Sequence, residues 1–200
     1  MNEKLGGPTL LDSFLPNYEF RGIRSITIKA SPSQIFRALK EVTLEDMPTA
    51  RFLGELRYLP VRIAGKMKTA RKSPRPFLDI VLQSGNIILG EEEGREIVVG
   101  AIAQFHQISD QQFVALKDAR TFMAFDDPGY QKLAQSFRVS GCDELSGCRL
   151  TFEHRTHALS RLARKKFSFY WIFIKPGSAF LAGLLLRAIR RRAEKCGEYS

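Results

Sequence analysis

The chain has 200 residues, 31 Lys and Arg against 21 Asp and Glu, and a formal net charge of +10. Hydrophobic residues at 44% and charged residues at 26% are ordinary for a globular domain and exclude a disordered or fibrous chain. The positive charge points to an anionic partner, which would be a nucleic acid, a lipid head group or an acidic ligand.

Three cysteines, an odd number with no CxxC pair, argue against a disulfide scaffold and against a structural zinc site. This cysteine usage favours a reduced, cytoplasmic setting. The N-terminal residues lack the basic and apolar segments of a signal peptide.

His154 and His157 are three apart on a predicted strand and point to opposite faces, so we expect no metal site. No phosphate-binding loop or nucleophile elbow is present, and we expect no cofactor.

Residues 1–21 are predicted to form an arm with short apolar anchors, followed by a single domain over residues 22–196. Alternation in "IRSITIKA" (23–30) predicts a half-buried strand. Ser31 as N-cap, Pro32 at the first helical position and Gln34 in a capping box then begin a helix. "TLED" (43–46) predicts a second helix start in the same way.

Beyond residue 60 the pattern predicts mainly antiparallel strands. Residues 60–76 are predicted to be a basic loop or a frayed pair of strands, 77–82 a short helix and 86–108 a hairpin. Residues 121–125 are predicted to be a strand, and a second hairpin pairs 132–141 with 147–158. Strand, two helices, antiparallel strands and a C-terminal helical region together predict an α+β fold.

The most apolar segment, "FSFYWIFIKPGSAFLAGLLL" (167–186), has the composition of a membrane anchor. Lys175 interrupts it, and a Lys at mid-bilayer is unfavourable by about 3 kcal/mol. Pro176 and Gly177 are expected to break the helix into two amphipathic pieces. We therefore predict no transmembrane segment and a helix packed on the protein's own sheet.

The order of elements resembles that of the helix-grip superfamily of START-type and pollen-allergen-type (Bet v 1-like) lipid-binding domains, also called SRPBCC. Within it the chain is similar to an uncharacterised bacterial branch. The matching pieces, which run over about 14–194, are "FLPNYEF" (14–20), "ITIKASPSQIFRALKEVTLEDMP" (26–48), "GREIVVGAIAQF" (94–105), "FDDPGY" (125–130), "RLTFEHRT" (149–156) and "RKKFSFYWIFIKPGSAFLAGLLLRAIRRRAE" (164–194). The resemblance implies a curved antiparallel sheet that wraps around a long C-terminal helix, with a ligand cavity between them.

A hydrophobic or amphipathic small molecule, lipid-like or polycyclic, is the ligand class that this resemblance implies. Together with the fifteen Phe of the chain, it suggests an apolar wall and one or two polar contacts. The candidate ligand-binding residues are Phe105, Phe137, Arg138, Phe152, His154, Tyr170 and Phe173. His154 shares a predicted strand face with apolar residues, where its pKa would be sensitive to burial.

Two other functions stay open from the sequence. The first is a cyclase- or hydrolase-like enzyme with His154 as acid and base, which is the less favoured interpretation because no catalytic partner is evident. The second is an anionic membrane or nucleic-acid surface contact through the basic loop 62–75 and the C-terminal Arg cluster, Arg187 to Arg192. The basic loop contains no aromatic residue, which disfavours base stacking.

Overall fold

The elements follow the chain as a sequence of short helices, five strands and one long helix. The computed structural model describes residues 8–49, 75–107, 112–143 and 146–197. The helices are α1 (Leu10–Phe14), α2 (Pro32–Glu41), α3 (Phe77–Gln83), α4 (Ala119–Ala124) and α5 (Arg161–Gly197), with a 3₁₀ turn at Leu44–Asp46. The strands are β1 (Phe20–Ile28), β2 (Ile87–Glu92), β3 (Glu96–Ala103), β4 (Gln131–Asp143) and β5 (Gly147–Ala158).

The five strands form one antiparallel sheet in the order β1-β5-β4-β3-β2. The β2–β3 and β4–β5 pairs are the two hairpins expected from the sequence, and the first strand has β5 as its neighbour. The protein is therefore of the α+β class, with a five-stranded antiparallel sheet and a long C-terminal helix.

Both faces of the sheet are covered, which explains why every residue of β3 is buried. On one face α2 and α5 enclose the larger apolar cluster, with members such as Ile35, Leu39, Phe137, Leu150, Leu185 and Ile189. On the other face α1 and α4 enclose a smaller cluster that includes Leu11, Leu15, Ile102 and Phe122. We call these the helix face and the outer face of the sheet.

The start of α2 confirms the predicted capping box. The Ser31 hydroxyl accepts from the Gln34 backbone N–H at 3.3 Å, and Gln34 Oε1 accepts from the Ser31 N–H at 2.9 Å. Pro32 lies in the first turn, where no N–H donor is needed. The cap directs Ile35, Phe36 and Leu39 into the cluster under α5.

On the outer face, buried charges hold α1 to the sheet. The Glu96 carboxylate accepts from the backbone N–H groups of Leu10 and Leu11 at 2.9 and 3.3 Å, so it caps the first turn of α1. Arg155 donates to Asp12 at 2.7 Å and to the carbonyl of Leu15 at 3.2 Å. Residues that sequence alone assigns to an arm are thus an integral layer of the outer face.

The C-terminal helix is continuous, contrary to the expected break at residues 175–177. Pro176 lies inside α5 and removes the bond to the carbonyl of Ile172, but both residues are on the exposed side, where water can bond that carbonyl. Within this continuous helix the Ser178 hydroxyl donates to the carbonyl of Lys175 at 3.0 Å.

The same helix is long and apolar enough to cross a membrane by length and composition, with a mean hydropathy of 1.6 over its most apolar window. It is the only such helix in the described residues, and one alone is weak evidence. Its side chains at Ala163, Phe167, Leu185 and Ile189 are buried against the rest of the protein. One buried side is typical of a helix packed on a domain.

Two further expectations need correction, and a third concerns residues that the structure does not describe. Residues 121–125 are helical rather than extended, because Asp118 caps the first turn of α4 by accepting from the Thr121 N–H at 2.8 Å. Leu44–Asp46 is a 3₁₀ turn rather than the first turn of an α-helix, although Asp46 accepts from the Thr43 N–H as in the predicted capping box. The basic loop 62–75 lies outside the described residues except for Arg75.

Cys142 and Cys148 form a disulfide, whereas the cysteine count argued against a disulfide scaffold. The pair closes the end of the β4–β5 hairpin, and hairpin pairing brings together two residues whose spacing alone gives no such signal. The cytoplasmic setting inferred from the cysteines stays a prediction.

The carboxylate of Asp12 makes the docking of α1 sensitive to acid. Burial acts to raise the pKa of Asp12, but hydrogen bonds from Thr9 and Arg155 outweigh it and lower the pKa from 3.8 to about 2. The stability contributed by this ionised group is therefore complete above about pH 4 and lost as the pH falls towards 2.

We expect Asp12→Asn to lower the melting temperature at pH 7 and to lose this effect near pH 2. Glu93→Gln, at an exposed turn, is the control, and a pH-independent effect of Asp12→Asn would contradict the assignment.

Candidate functional site

The register of β5 against its two neighbours decides which side chains face α5. Phe152 lies opposite Phe137 of β4 and opposite Arg24 of β1, and His154 lies opposite Gly22. Directly opposed residues of antiparallel strands share a face, so all of these are on the helix face. The alternate residues of β5, Glu153 and Arg155, lie on the outer face with α1.

The apolar cavity lies on the helix face, between the sheet, α2, α3 and α5. It has a volume of about 350 Å³, within the range of small-molecule sites. Its walls are mainly aliphatic and aromatic and include Leu39, Met47, Phe77, Val81, Phe137 and Leu185. Polar groups enter through Gln135, His154 and Ser178.

The edge cavity, of about 440 Å³, lies on the other side of α5, between that helix and the edge strand β1. Its lining is more polar and basic, and it includes Arg24, Ser25, Trp171 and Lys175. The two cavities share four wall residues, Phe152, His154, Ser178 and Ala182. They therefore meet beneath α5, with His154 where they meet.

His154 is the polar group at the centre of this arrangement. Its side chain is 8% exposed and packs edge-on against Phe152 and Trp171, with ring centroids 5.6 and 5.4 Å away. Among the described residues Nε2 has no hydrogen-bond partner, which is unfavourable for a buried polar atom. Burial lowers the pKa of His154, with a smaller opposing effect from Glu153, so the imidazole is neutral at pH 7.

Gly22 is the neighbour that allows the Nε2 end of the imidazole to approach β1. A Cβ on Gly22 would come within 2.3 Å of His154 Nε2 and 2.6 Å of Cε1, closer than real atoms approach. The glycine thus creates the space into which Nε2 points. A neutral imidazole there can donate or accept one hydrogen bond, depending on its tautomer.

The structure brings together three of the seven candidate residues. Phe137 and Phe152 stack at 4.8 Å on the wall of the apolar cavity, with His154 beside them. The other four candidate residues line neither the apolar cavity nor the edge cavity. Arg138 lies on the outer face, since its register partners are Glu96 and Thr151, so it cannot reach a ligand beneath α5.

The three remaining candidates are aromatic residues that pack elsewhere. Phe105 contacts Phe113 beyond the end of β3. Tyr170 packs on Phe167, and Phe173 points to solvent with 69% of its surface exposed. Phe173 is assigned to the wall from the resemblance and the Phe-rich composition, and neither of these defines which way this residue faces.

Sequence reasoning missed Gly22, Arg24, Trp171 and Lys175. The signal for the first two was present, because the alternation that places Ile26 and Ile28 inward also places Arg24 and Gly22 on that face. Trp171 lies four residues after the buried Phe167, so its signal was present as well, whereas the facing of Lys175 could not be assigned while a break was expected at residues 175–177.

Comparison with known proteins adds little to this geometry. No protein-family model matches the sequence, and no curated protein matches it. Among solved structures, protein MLL2253 from Mesorhizobium loti is similar, with 11% identity, a TM-score of 0.40 and coverage of 88% of this chain and 98% of that one. TTHA0849 from Thermus thermophilus has 10% identity and a TM-score of 0.35, and the match covers 90% of this chain and 99% of that one. Likenesses at this level assign neither a family nor a function.

The close fit of Gly22 to His154 yields a direct test of the site. We expect Gly22→Ala to destabilise the protein by about 1–3 kcal/mol, because the new methyl group must displace a buried imidazole. In a His154→Ala background the same change should have little effect, a coupling that urea unfolding of the four proteins measures. Gly177→Ala, at a helical glycine with open space around it, is the matched control and should be neutral or stabilising. Equal effects of Gly22→Ala in both backgrounds would contradict the contact.

Proposed function

We propose that this chain is a helix-grip protein of the SRPBCC type that binds a hydrophobic or amphipathic small molecule between its sheet and its C-terminal helix. The observation that carries the proposal is the apolar cavity beneath α5. A volume of about 350 Å³ bounded by aliphatic and aromatic walls is favourable for burying apolar ligand surface.

The polar features of the site support binding of a ligand with at least one polar atom. His154 Nε2 is buried without a partner among the described residues, and a ligand hydrogen bond would satisfy it. Gln135 and Ser178 supply further polar atoms at the same wall. Few polar groups in an otherwise apolar cavity are typical of sites that orient a small molecule.

The enzyme alternative has less support from the same residues. A general acid or base is usually held in orientation by a second polar group, but His154 Nε2 bonds to none among the described residues, Gln135 opposite it on β4 included. The nearest carboxylate in sequence, Glu153, is engaged with Arg21 and Arg155 on the outer face. Binding without chemistry is the function that this geometry favours.

A change that fills the cavity tests the proposal. Ser178 lies on the wall of both cavities, whereas the adjacent Gly177 has open space around it. We expect Ser178→Leu to weaken binding of Nile red, an uncharged polarity-sensitive dye, by about tenfold or more, because the leucine occupies the dye's space. Gly177→Leu adds the same side chain towards solvent and should leave binding unchanged.

Dye fluorescence gives the affinity, and native mass spectrometry of gently purified protein shows whether a small molecule copurifies. The melting temperature of each variant controls for unfolding. Binding of the dye with equal affinity to wild type and Ser178→Leu, or no binding to wild type, would refute the proposal.

A further inference from the structure

Two basic side chains at the edge cavity have no role in the packing described above. Arg24 is on β1 and, by its register opposite Phe152, faces α5 rather than the outer side of the sheet. Lys175 reaches the same cavity from the helix. They approach one space from two elements that are far apart in sequence.

These two cations differ from their neighbour Arg21 in their ion pairing. Arg21 donates to both carboxylate oxygens of Glu153, at 2.8 and 3.1 Å. In the described part of the chain, Arg24 and Lys175 form no ion pair. His154, whose Nε2 has no hydrogen-bond partner among the described residues, is on the wall of the same cavity. Two cations and one unsatisfied nitrogen around a space of about 440 Å³ are suited to an anion.

We propose that the edge cavity binds the anionic head group, a carboxylate or a phosphate, of an amphipathic ligand whose apolar part occupies the apolar cavity. Arg24 and Lys175 neutralise the head group, and His154, where the cavities meet, hydrogen-bonds the ligand between head and tail. This inference rests on the proposed function, and it narrows the ligand class from hydrophobic molecules to amphipathic anions.

Matched ligands that differ only in the head group test the charge requirement. Dodecanoate and dodecyl phosphate carry the anion, and 1-dodecanol has the same tail without it. We expect the two anions to displace Nile red from the wild-type protein at least about tenfold more tightly than the alcohol. Arg24→Gln combined with Lys175→Gln should remove this advantage and leave dodecanol binding unchanged.

The control removes the same two charges elsewhere, through Arg149→Gln and Lys117→Gln at exposed positions. If this control weakens anion binding as much as the cavity variant does, the effect is one of net charge and the head-group site is refuted. Equal binding of anions and alcohol to wild type refutes the head-group site but leaves the proposed function standing. Failure of all three to displace the dye also refutes the head-group site, whereas the proposed function is refuted only by the dye results given for Ser178→Leu and wild type. A difference between dodecanoate and dodecyl phosphate identifies the preferred anion.

A different observation, the solvent side of α5, carries a second inference. At 3.6 residues per turn, Leu162, Phe169, Phe173 and Phe180 fall in one line along the helix. They are 65%, 69%, 69% and 47% exposed, and Ile172 beside them is 68% exposed. This apolar stripe runs for about 27 Å on the side turned away from the sheet.

The charged residues of α5 are nearly all basic. Residues 161–197 contain ten Arg or Lys and a single acid, Glu194. Lys165 and Lys166 border one end of the stripe and Arg187 the other, all exposed. An exposed apolar line with basic flanks is typical of a helix that lies in the head-group region of an anionic bilayer.

We infer that the apolar stripe of α5 docks onto an anionic lipid surface, with the helix lying in the plane of the membrane. A second copy of the chain is disfavoured, because it would place two strongly basic helices against each other. Nucleic acid is disfavoured because Leu162 and Ile172, which are exposed on the same side, cannot stack on bases. Lipid acyl chains accept the Phe and Leu side chains, and anionic head groups accept the flanking cations.

Cosedimentation with vesicles tests this docking. We expect the protein to bind phosphatidylcholine vesicles that contain phosphatidylserine, to bind pure phosphatidylcholine much more weakly, and to dissociate as salt is raised. Phe169→Ser combined with Phe173→Ser should weaken binding about tenfold or more without changing the melting temperature, since both side chains are already in water. Ile88→Ser with Met123→Ser, two exposed apolar residues far from α5 in sequence, is the matched control.

Vesicle binding that survives the Phe169→Ser and Phe173→Ser changes would refute the stripe as the contact. So would loss of binding in the control, or no binding to anionic vesicles at low salt. Light scattering that shows a dimer abolished by the two Phe changes would assign the stripe to a second copy instead. Tighter binding to single-stranded DNA than to anionic vesicles would assign it to nucleic acid.

Discussion

The structure depends on the position of β5 between β1 and β4. Because side chains alternate along a strand, the registers of β5 with its two neighbours send Phe152 and His154 towards α5, and Glu153 and Arg155 towards α1. A shift of one residue would place two charges beneath the long helix and two aromatic rings in the ion-pair network. Both the cavities and the docking of α1 therefore follow from one register.

The two faces of the sheet bury different kinds of side chain. The outer face buries Glu96, Glu153 and Arg155, and it satisfies them with one another, with Asp12 and with backbone groups of α1. A buried charge network of this kind tolerates little change, because loss of one member leaves another charge unpaired. The helix face is apolar and only partly filled. Among the described residues its one buried polar atom without a hydrogen-bond partner is His154 Nε2, and a ligand can supply that bond.

Helix α5 performs three tasks with three of its sides. One side is buried against the sheet and α2 and completes the larger apolar cluster. Residues at the border of that side, from Trp171 to Ala182, form walls of the two cavities. The opposite side carries exposed Phe and Leu residues between basic clusters, which the stability of the fold does not require. A membrane-facing side on the same helix that closes a ligand cavity would bring the site next to a lipid source.

Local signals in the sequence determined much of the secondary structure. The capping box at Ser31 and the alternating patterns of β1, β4 and β5 depend only on neighbouring residues, and the structure has them. The same alternation correctly set Phe152 and His154 apart from Glu153 and Arg155. Local patterns failed where burial overrides propensity, as in α4, where Asp118 caps a helix formed by residues that also suit a strand.

Tertiary structure alone decided the rest. Which side of the sheet is the helix face cannot be read from one strand, so the facing of Arg138 was open until α1 and α5 were placed on opposite faces. Helix α5 continues through Pro176, which lies on its exposed side, and the packing of α5 on the sheet decides that Phe173 points to solvent and Lys175 to the edge cavity. A cavity is the space left between packed elements, and no single residue pattern encodes that space. For this reason the sequence could predict the kind of fold and three residues of the cavity wall, Phe137, Phe152 and His154, but not the remaining walls.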